Sequence, residues 1–237
     1  MLPNKGTRRR ITDINENSQN RFPYEPKDCS ELPSGTSSGV YDILPSNGNC
    51  ISVFCEMDTD NGGWTTIQRR YEVTVDFYRF WDDYKHGFGE IGGEHWLGNM
   101  NLHAILRQRS YQVRFDVEAF SGDTAYAIYN AIYVGDESTN YTLSLTGYEG
   151  TAGDATVDYY GNLMDGMMFS TRDRDNDINW TDNCAFSKKS GWWHAACTYA
   201  NLNGGVYTAQ FVQEAIYWRT WKLKGLKGTR IMIKPKP

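Results

Sequence analysis

Alternation of apolar and polar side chains predicts several β-strands along this chain of 237 residues. The clearest case is residues 111–118, where every second side chain is apolar, and residues 124–134 and 141–148 repeat the pattern. Gly122 and Gly135 mark the connections between these segments. Three half-buried strands in succession predict an antiparallel sheet.

Shorter apolar runs predict further strands on either side of this sheet. They are residues 39–45, 51–57, 64–70, 216–218 and 230–234. Residues 58–63 (DTDNGG) supply turn chemistry, because Asn-Gly accepts the positive φ angles of a tight hairpin. Asn101 before residues 102–108 predicts a short helix with an asparagine N-cap. We interpret His103 in that helix as a packed or surface side chain and not as a ligand.

An aromatic block and a long irregular segment complete the pattern. The block contains Phe77, Tyr78, Phe80, Trp81, Tyr84 and Phe88. Their mixed spacing is typical of a core and not of a cofactor site. Regular periodicity ends after Gly150 and does not return before about residue 209, and so long an irregular stretch in a compact domain is usually functional.

Residues 1–27 have no apolar period, so we expect a flexible N-terminal segment followed by a domain at residues 28–237. The alternative to a flexible segment is a processing or polyanion-binding site, which the three arginines Arg8 to Arg10 would provide. The start shows no signal-peptide pattern, which leaves a cytosolic protein or a piece of a longer secreted chain. Asn-x-Thr sequons at Asn140 and Asn179, together with the cysteines, favour the secreted, extracellular interpretation.

Charge and hydropathy exclude two classes of partner. The formal net charge is −5, which argues against binding to nucleic acid or to an anionic membrane surface. No apolar run approaches the roughly 20 residues that a membrane-spanning helix needs.

Five cysteines leave one over after two pairs. Bridges from Cys29 to Cys55 and from Cys184 to Cys197 would close loops of about 26 and 13 residues, each worth about 3 kcal/mol. Cys50 is then odd, and in a secreted protein it would bond another chain or missing upstream sequence. The alternatives are a buried thiol outside any bridge, and a zinc site with Cys55 that lacks a second ligand pair.

Three aspartates alternate before Cys184, at Asp173, Asp175 and Asp177. Carboxylate oxygens at two-residue spacing suit Ca²⁺, and the alternative is a solvated acidic turn. An EF-hand is excluded, because its sixth position would be Ile178 instead of glycine and its twelfth would be Cys184 instead of glutamate.

Seven segments in order carry a resemblance to a known family. They are FCEMD at 54–58, NGGWT at 61–65, QRR at 68–70, EHWLG at 94–98, NCA at 183–185, GWW at 191–193 and NLNG at 201–204. The sequence resembles the fibrinogen C-terminal-like domain family, which includes ficolins, tachylectins, tenascins, angiopoietins and the fibrinogen chains. The resemblance covers nearly all of residues 28–237.

The resemblance implies an α+β fold in three parts. These are a small disulfide-bonded N-terminal subdomain, a central twisted antiparallel sheet with short helices, and a loop-rich calcium-binding C-terminal subdomain. It also implies the pairings Cys29 with Cys55 and Cys184 with Cys197. Ficolins have a cysteine like Cys50 that bonds one further upstream, so the resemblance implies a bond outside this domain and an oligomer formed through it or through upstream sequence.

The resemblance also implies a residue-level calcium site. The side chains of Asp175 and Asp177 and the backbone carbonyls of Asn179 and Thr181 would bind Ca²⁺, with waters completing the shell. This chain has one residue more between Asp177 and Cys184 than the family usually has. A glycan on Asn179 would crowd the loop.

A ligand pocket is expected beside Cys197, with a cis peptide bond between Ala196 and Cys197. Thr198 stands where the family commonly has histidine, and Lys188 where tyrosine is common, so acetyl-group recognition in the familiar mode is weakened. The predicted ligand-binding residues are Ala196, Cys197, Thr198, Tyr199, Tyr207 and Phe211. We interpret Trp193 as part of the core.

The resemblance favours a secreted, lectin-like, calcium-binding recognition module for extracellular carbohydrate or acetylated groups, in innate-immune recognition or agglutination. The alternative is a protein-binding module for a cell-surface receptor or the extracellular matrix, as in angiopoietins or tenascins. An enzyme is not expected, because the four histidines form no HExxH motif and no nucleophile elbow is present.

Overall fold

The computed structural model describes residues 25–72 and 74–236. Pro26 is buried, and its carbonyl accepts a hydrogen bond from the Leu44 N–H at 2.8 Å. The chain therefore contacts the fold from Pro26 onward, and the predicted division into residues 1–27 and 28–237 stays a prediction. Residues 1–24, with the basic run, lie outside the described part.

The strands are numbered here in chain order. They are β1 (Gly39–Ile43), β2 (Ile51–Glu56), β3 (Trp64–Arg70), β4 (Phe88–Gly89), β5 (His95–Trp96), β6 (Tyr111–Ala119), β7 (Thr124–Val134), β8 (Leu143–Gly150), β9 (Ala200–Asn201), β10 (Tyr217–Trp218) and β11 (Leu226–Pro235). Seven of them run in the order β1-β2-β3-β11-β6-β7-β8, β5 also pairs with β3, and β4 pairs with β5. The pairings are antiparallel, which confirms the predicted sheet. Strands β9 and β10 form a separate pair.

The last strand of the sheet lies at its centre. Strand β11 pairs with β3 on one side and β6 on the other, so that Ile231 lies opposite both Gln68 and Phe115. The disulfide-bonded N-terminal strands are thus continuous with the central sheet and share its core.

Strand β6 shows why the period of two predicts the sheet. Its residues are alternately buried and half-buried along the whole length from Tyr111 to Ala119. On the half-buried face, Asp116 forms ion pairs with Arg114 at 2.6 Å and with Arg230 of β11 at 2.8 Å. Apolar side chains therefore enter the core, while charged ones pair across the other face.

Three short α-helices lie in the described residues: α1 (Trp81–His86), α2 (Asn99–Leu106) and α3 (Cys184–Lys188). The predicted N-cap of α2 is wrong, because the helix begins after Gly98 and the Asn101 side chain donates to the Leu97 carbonyl at 2.9 Å. The Nδ1 atom of His103 lies 2.8 Å from the carbonyl oxygen of Val134, so this histidine is packed against β7. In the described part of the chain, no helix has the length and apolar character needed to cross a membrane.

The core joins the aromatic block to the irregular region. The ring of Phe169 lies 5.2 Å from that of Tyr84 and 5.1 Å from that of Trp193, measured between ring centres. Trp193 is buried, as predicted, but Phe80 of the block is 51% exposed and is not part of the core.

Residues 151–225 contain α3, β9, β10 and otherwise irregular backbone. Side chains replace the missing backbone ladder, because buried polar groups must find partners. Two tryptophan side chains donate to backbone carbonyls at 2.8 Å, Trp193 to Tyr141 and Trp218 to Gly153. Two amide side chains do the same, Gln68 to the Leu202 carbonyl at 2.9 Å and Asn203 to the Gly191 carbonyl at 3.0 Å.

Candidate functional site

The structure contains the two disulfides that the sequence predicted. Cys29 is bonded to Cys55, and Cys184 is bonded to Cys197. Cys50 lies outside both bridges at an exposed position. The alternative of a buried thiol is therefore wrong, and a zinc site with Cys55 is excluded because that sulfur is already bonded. A bond from Cys50 to another chain stays a prediction.

The acidic loop is organised around the carboxylate of Asp177. Its Oδ1 accepts the N–H of Asn179 and its Oδ2 accepts the N–H of Cys184, each at 2.8 Å. The Oδ1 of Asp175 accepts the N–H of Asp177 at 3.3 Å, and Asp175 itself is exposed. These bonds hold the two carboxylates close together beside the disulfide. Asp173 does not join them, because its Oδ1 accepts the Trp81 N–H at 2.9 Å.

Electrostatics at this loop are suited to a cation. Burial, and then the neighbouring Asp175 carboxylate, raise the pKa of Asp177 to about 6. A divalent ion would remove this repulsion. In the described residues no group of three or more His, Cys, Asp or Glu side chains is arranged to hold a metal. A calcium site here would therefore depend on backbone carbonyls beside two carboxylates, an all-oxygen donor set that fits Ca²⁺.

Asn179 faces inward, towards the disulfide. Its Nδ2 lies 3.8 Å from the Sγ of Cys184 and 3.9 Å from that of Cys197, and its Oδ1 accepts the Thr181 hydroxyl at 2.8 Å. A glycan on this nitrogen would have to displace these contacts. The other sequon asparagine, Asn140, accepts from Arg174 through Oδ1 at 2.6 Å.

The cleft beside Cys197 is small. The peptide bond between Ala196 and Cys197 is cis, as the resemblance implies. Cys197, Thr198 and Tyr199 line the cleft, whose free volume is about 10 Å³. That volume holds about one water molecule and cannot admit a sugar ring. Ala196 is exposed and does not line the cleft.

Two of the predicted pocket residues, Tyr207 and Phe211, lie outside the cleft itself. The hydroxyl of Tyr207 donates to the Tyr71 carbonyl at 3.3 Å, and its ring packs 4.9 Å from that of Phe120. Phe211 packs 5.4 Å from Tyr217. Neither lines the cleft itself. Phe211 nevertheless borders the cleft residue Tyr199, because the guanidinium carbon of Arg219 lies 5.1 Å from the Phe211 ring centre and 4.5 Å from that of Tyr199. The ligand-binding role of Tyr207 and Phe211 stays a prediction.

The polar groups that replace the family's usual pocket residues are used internally. The Thr198 hydroxyl donates to the Ala200 carbonyl at 2.8 Å. The Lys188 ammonium donates to Gln213 Oε1 at 3.2 Å. Both departures from the family pattern therefore stabilise the loops and leave few donors for a bound acetyl group.

A buried histidine, His194, lies three residues before Cys197 and contacts Ser190. His194 is fully buried, and its Nε2 lies 3.2 Å from the Oγ of Ser190, which donates to Asn201 Oδ1 at 2.6 Å. Its Nδ1 has no hydrogen-bond partner among the described residues. Burial, and secondarily the positive charge of Lys188, lower the pKa of His194 to about 3. The imidazole is therefore neutral across the physiological pH range.

Three largely exposed aromatic side chains adjoin residues of the cleft region in the sequence, and we refer to Tyr159, Tyr160 and Trp180 as the aromatic triad. They are 83%, 84% and 94% exposed, respectively. Trp180 follows Asn179, which contacts the Cys197 sulfur, and the two tyrosines lie between two residues that line the cleft. The sequence signal was the pair Tyr159-Tyr160 before a glycine, but aromatic residues usually indicate core, so the triad was missed.

Comparison with known proteins assigns the domain. Residues 25–236 match the family described as fibrinogen beta and gamma chains, C-terminal globular domain. This chain belongs to that family.

The relatives agree in sequence and in fold. Fibrinogen-like protein A of Apostichopus parvimensis is 42% identical over 204 residues, which are 83% of this chain and 70% of the relative. Bovine fibroleukin (Bos taurus) is 39% identical over 225 residues, 89% of this chain and 51% of its own length. This chain thus spans only about half of fibroleukin.

Solved structures confirm the architecture. The fibrinogen-like globe domain of human ANGPTL2 aligns with a TM-score of 0.84 at 37% identity, covering 90% of this chain and all of that one. A lamprey fibrin D-dimer complexed with the peptide Gly-His-Arg-Pro-amide aligns with a TM-score of 0.83 at 33% identity, covering 90% of this chain and 74% of that one.

Proposed function

We propose that this domain is an extracellular, non-enzymatic, protein-binding module for a cell-surface receptor or matrix protein. The aromatic triad carries the proposal, because Tyr and Trp that are more than 80% exposed on a folded domain are the residue types that dominate protein interfaces. Each buries roughly 150–250 Å² on contact, so the three could supply between about half and nearly all of a standard interface side of ~800 Å². Two disulfides support an extracellular location.

The comparisons support protein binding more than the lectin-like alternative. One solved relative holds a peptide. In this chain, the cleft where a sugar or acetyl group is expected has room for about one water molecule.

We further propose that Ca²⁺ stabilises the binding face. Asp175 and Asp177, with the carbonyls of Asn179 and Thr181, would hold the ion and fix the segment that carries Trp180. Adding Ca²⁺ at about 100 times its dissociation constant should stabilise the fold by about 2.7 kcal/mol. An unchanged melting temperature on chelation, with no heat of binding in calorimetry, would refute this part.

The function is tested by screening the domain against a panel of receptor ectodomains and against a glycan array, with calcium and with chelator. A triple variant, Tyr159→Ser, Tyr160→Ser and Trp180→Ser, should lose binding to an ectodomain hit by at least about tenfold, since interface aromatics contribute ~2 kcal/mol or more. Leu223→Ser is the matched control, because Leu223 is 68% exposed in another segment. A strong glycan signal that the triple variant retains, with no ectodomain hit, would instead establish the lectin-like function.

A further inference from the structure

Five side chains from two segments of the chain, residues 78–80 and 172–189, form an alternating surface stack of rings and cations, which we term the cation–aromatic stack. In order, its members are Phe80, Arg172, Tyr78, Lys189 and Phe186. The guanidinium carbon of Arg172 lies 4.0 Å from the ring centre of Tyr78 and 4.8 Å from that of Phe80. The Lys189 ammonium lies 4.7 Å from the Tyr78 ring centre and 4.3 Å from that of Phe186. Both cations therefore contact one shared ring, which holds them near each other.

Neither cation has an acidic partner within the described residues. The carboxylates nearest to the two cations along the chain have other partners: Asp173 accepts from the Trp81 N–H at 2.9 Å, and Asp182 accepts from the Ser187 hydroxyl. By contrast, Arg230 of the sheet pairs with Asp116 and Glu56. The stack thus keeps the N–H donors of a guanidinium and an ammonium available to an external anion.

Lys189 occupies a backbone conformation that lysine adopts at a steric cost. It ends α3 with φ of 53° and ψ of 44°, in the left-handed region. Glycine or asparagine is usual at this position after a helix, because a longer side chain is disfavoured there. The Lys189 ammonium contacts two aromatic rings from this position, so the backbone cost is accompanied by a specific placement of the side chain.

The stack shares one segment of the chain with Trp180 of the aromatic triad. Arg172, Trp180, Phe186 and Lys189 all belong to one 18-residue segment, and the disulfide at Cys184 anchors it. Phe80 and Phe186 at the two ends of the stack are 51% and 52% exposed. Apolar surface therefore borders the two cations on both sides.

We propose that the cation–aromatic stack is a binding site for an acidic protein segment, one that presents a carboxylate flanked by apolar side chains. The inference rests on the proposed protein-binding function. The two cations would bind the carboxylate through charge-assisted hydrogen bonds, and the outer phenylalanines would pack on its neighbours. A sulfated polysaccharide fits less well, because the site offers only two cations on a chain of net charge −5 and three of its five side chains are aromatic.

The test uses the intact domain and a random copolymer of glutamate and tyrosine as the probe, with poly-glutamate, a lysine–tyrosine copolymer and heparin as comparators. The double variant Arg172→Gln with Lys189→Gly removes both charges and relieves the backbone of residue 189. The matched control, Arg107→Gln with Lys224→Gln, removes the same charge from two exposed residues on other elements. Binding is measured by biolayer interferometry, and thermal melting verifies that each variant is folded.

Wild type and the control should bind the glutamate–tyrosine copolymer more tightly than poly-glutamate. The double variant should bind it at least about tenfold more weakly, since a hydrogen bond to a charged group contributes ~1.5–3 kcal/mol. Equal loss in both variants would show general charge attraction and overturn the proposal. So would heparin binding that is lost only in the double variant without any copolymer binding, which would assign the site to a polysaccharide.

The outcome is separable from that of the proposed function. The triple variant of the aromatic triad keeps Arg172 and Lys189, so its copolymer binding should match wild type. If an ectodomain hit is lost in the triple variant but bound equally by the double variant, the protein-binding function stands and the acidic-segment site is refuted.

Discussion

The sheet and residues 151–225 reach order by different means. Strands β3, β11, β6, β7 and β8 are joined by long backbone ladders with only local register shifts. Residues 151–225 depend instead on buried tryptophans, side chain to carbonyl bonds and one disulfide. A ladder tolerates many side chains, while each side-chain bond depends on one residue. The irregular half should therefore be more sensitive to single substitutions, and it is the half that carries the candidate recognition face.

Truncating one large buried side chain in the sheet, or one in residues 151–225, should have the largest effect on stability. Trp193→Ala and Phe115→Ala should each lower the free energy of unfolding by ~3–5 kcal/mol, because each leaves a large cavity. Hydrogen exchange should separate them. Loss of protection in Trp193→Ala should concentrate in residues 151–225, where the Trp193 bond to Tyr141 holds the loops, and be spread through the sheet in Phe115→Ala. Identical exchange patterns would contradict the comparison.

Removing each disulfide should have the next largest effect. Replacing both cysteines of either pair by serine should cost about 3 kcal/mol of stability. Only Cys184→Ser with Cys197→Ser should also lose calcium-dependent melting and ectodomain binding, because only that bridge contacts the acidic loop through Asn179. Equal loss of binding in Cys29→Ser with Cys55→Ser would show that the bridge acts only through global stability.

Acid should weaken the irregular half through His194. Because the pKa of this imidazole falls from the ordinary 6.5 to about 3 on folding, its unfolded form binds the proton first. Its contribution to stability is therefore complete above pH ~6.5 and declines as the pH falls, by ~2–3 kcal/mol at about pH 4.5.

The raised pKa of Asp177 acts in the opposite direction over the same pH range, so total stability alone is not diagnostic. The measurement is the difference in unfolding free energy between wild type and His194→Gln, which should shift by that amount between about pH 7 and pH 4.5. A pH-independent difference would show that the imidazole is not neutral and buried.

The smallest expected effect is a gain in the free energy of unfolding. Lys189→Gly should stabilise the domain by about 0.5–1 kcal/mol, because glycine accepts the left-handed backbone that lysine adopts at a cost. Chemical denaturation would measure this shift. A loss of stability would mean that the cation–aromatic contacts of Lys189 outweigh its backbone strain.

The strands were predictable from the sequence because burial repeats every second residue. Residues 64–70 and 124–134 match β3 and β7 at both ends. Helix α1 was missed, since its Trp81 and Tyr84 look like core aromatics whatever the backbone does. The two-residue spacing of the aspartates indicated the acidic loop, and the family resemblance supplied the cysteine pairings and the carbonyl ligands. The aromatic triad and the cation–aromatic stack depend on where irregular backbone turns, which no periodicity reports.

The position of β11 has a consequence for how the chain is made. Residues 226–235 fill the gap between β3 and β6, so register partners such as Ile231 and Gln68 are more than 160 residues apart in sequence. During synthesis, the N-terminal strands and the β6–β8 strands emerge with exposed inner edges that only the last segment can cover. A ribosome must therefore release nearly the whole domain before β3 and β6 can join through β11, and trimming at the carboxyl end would remove the strand that connects them.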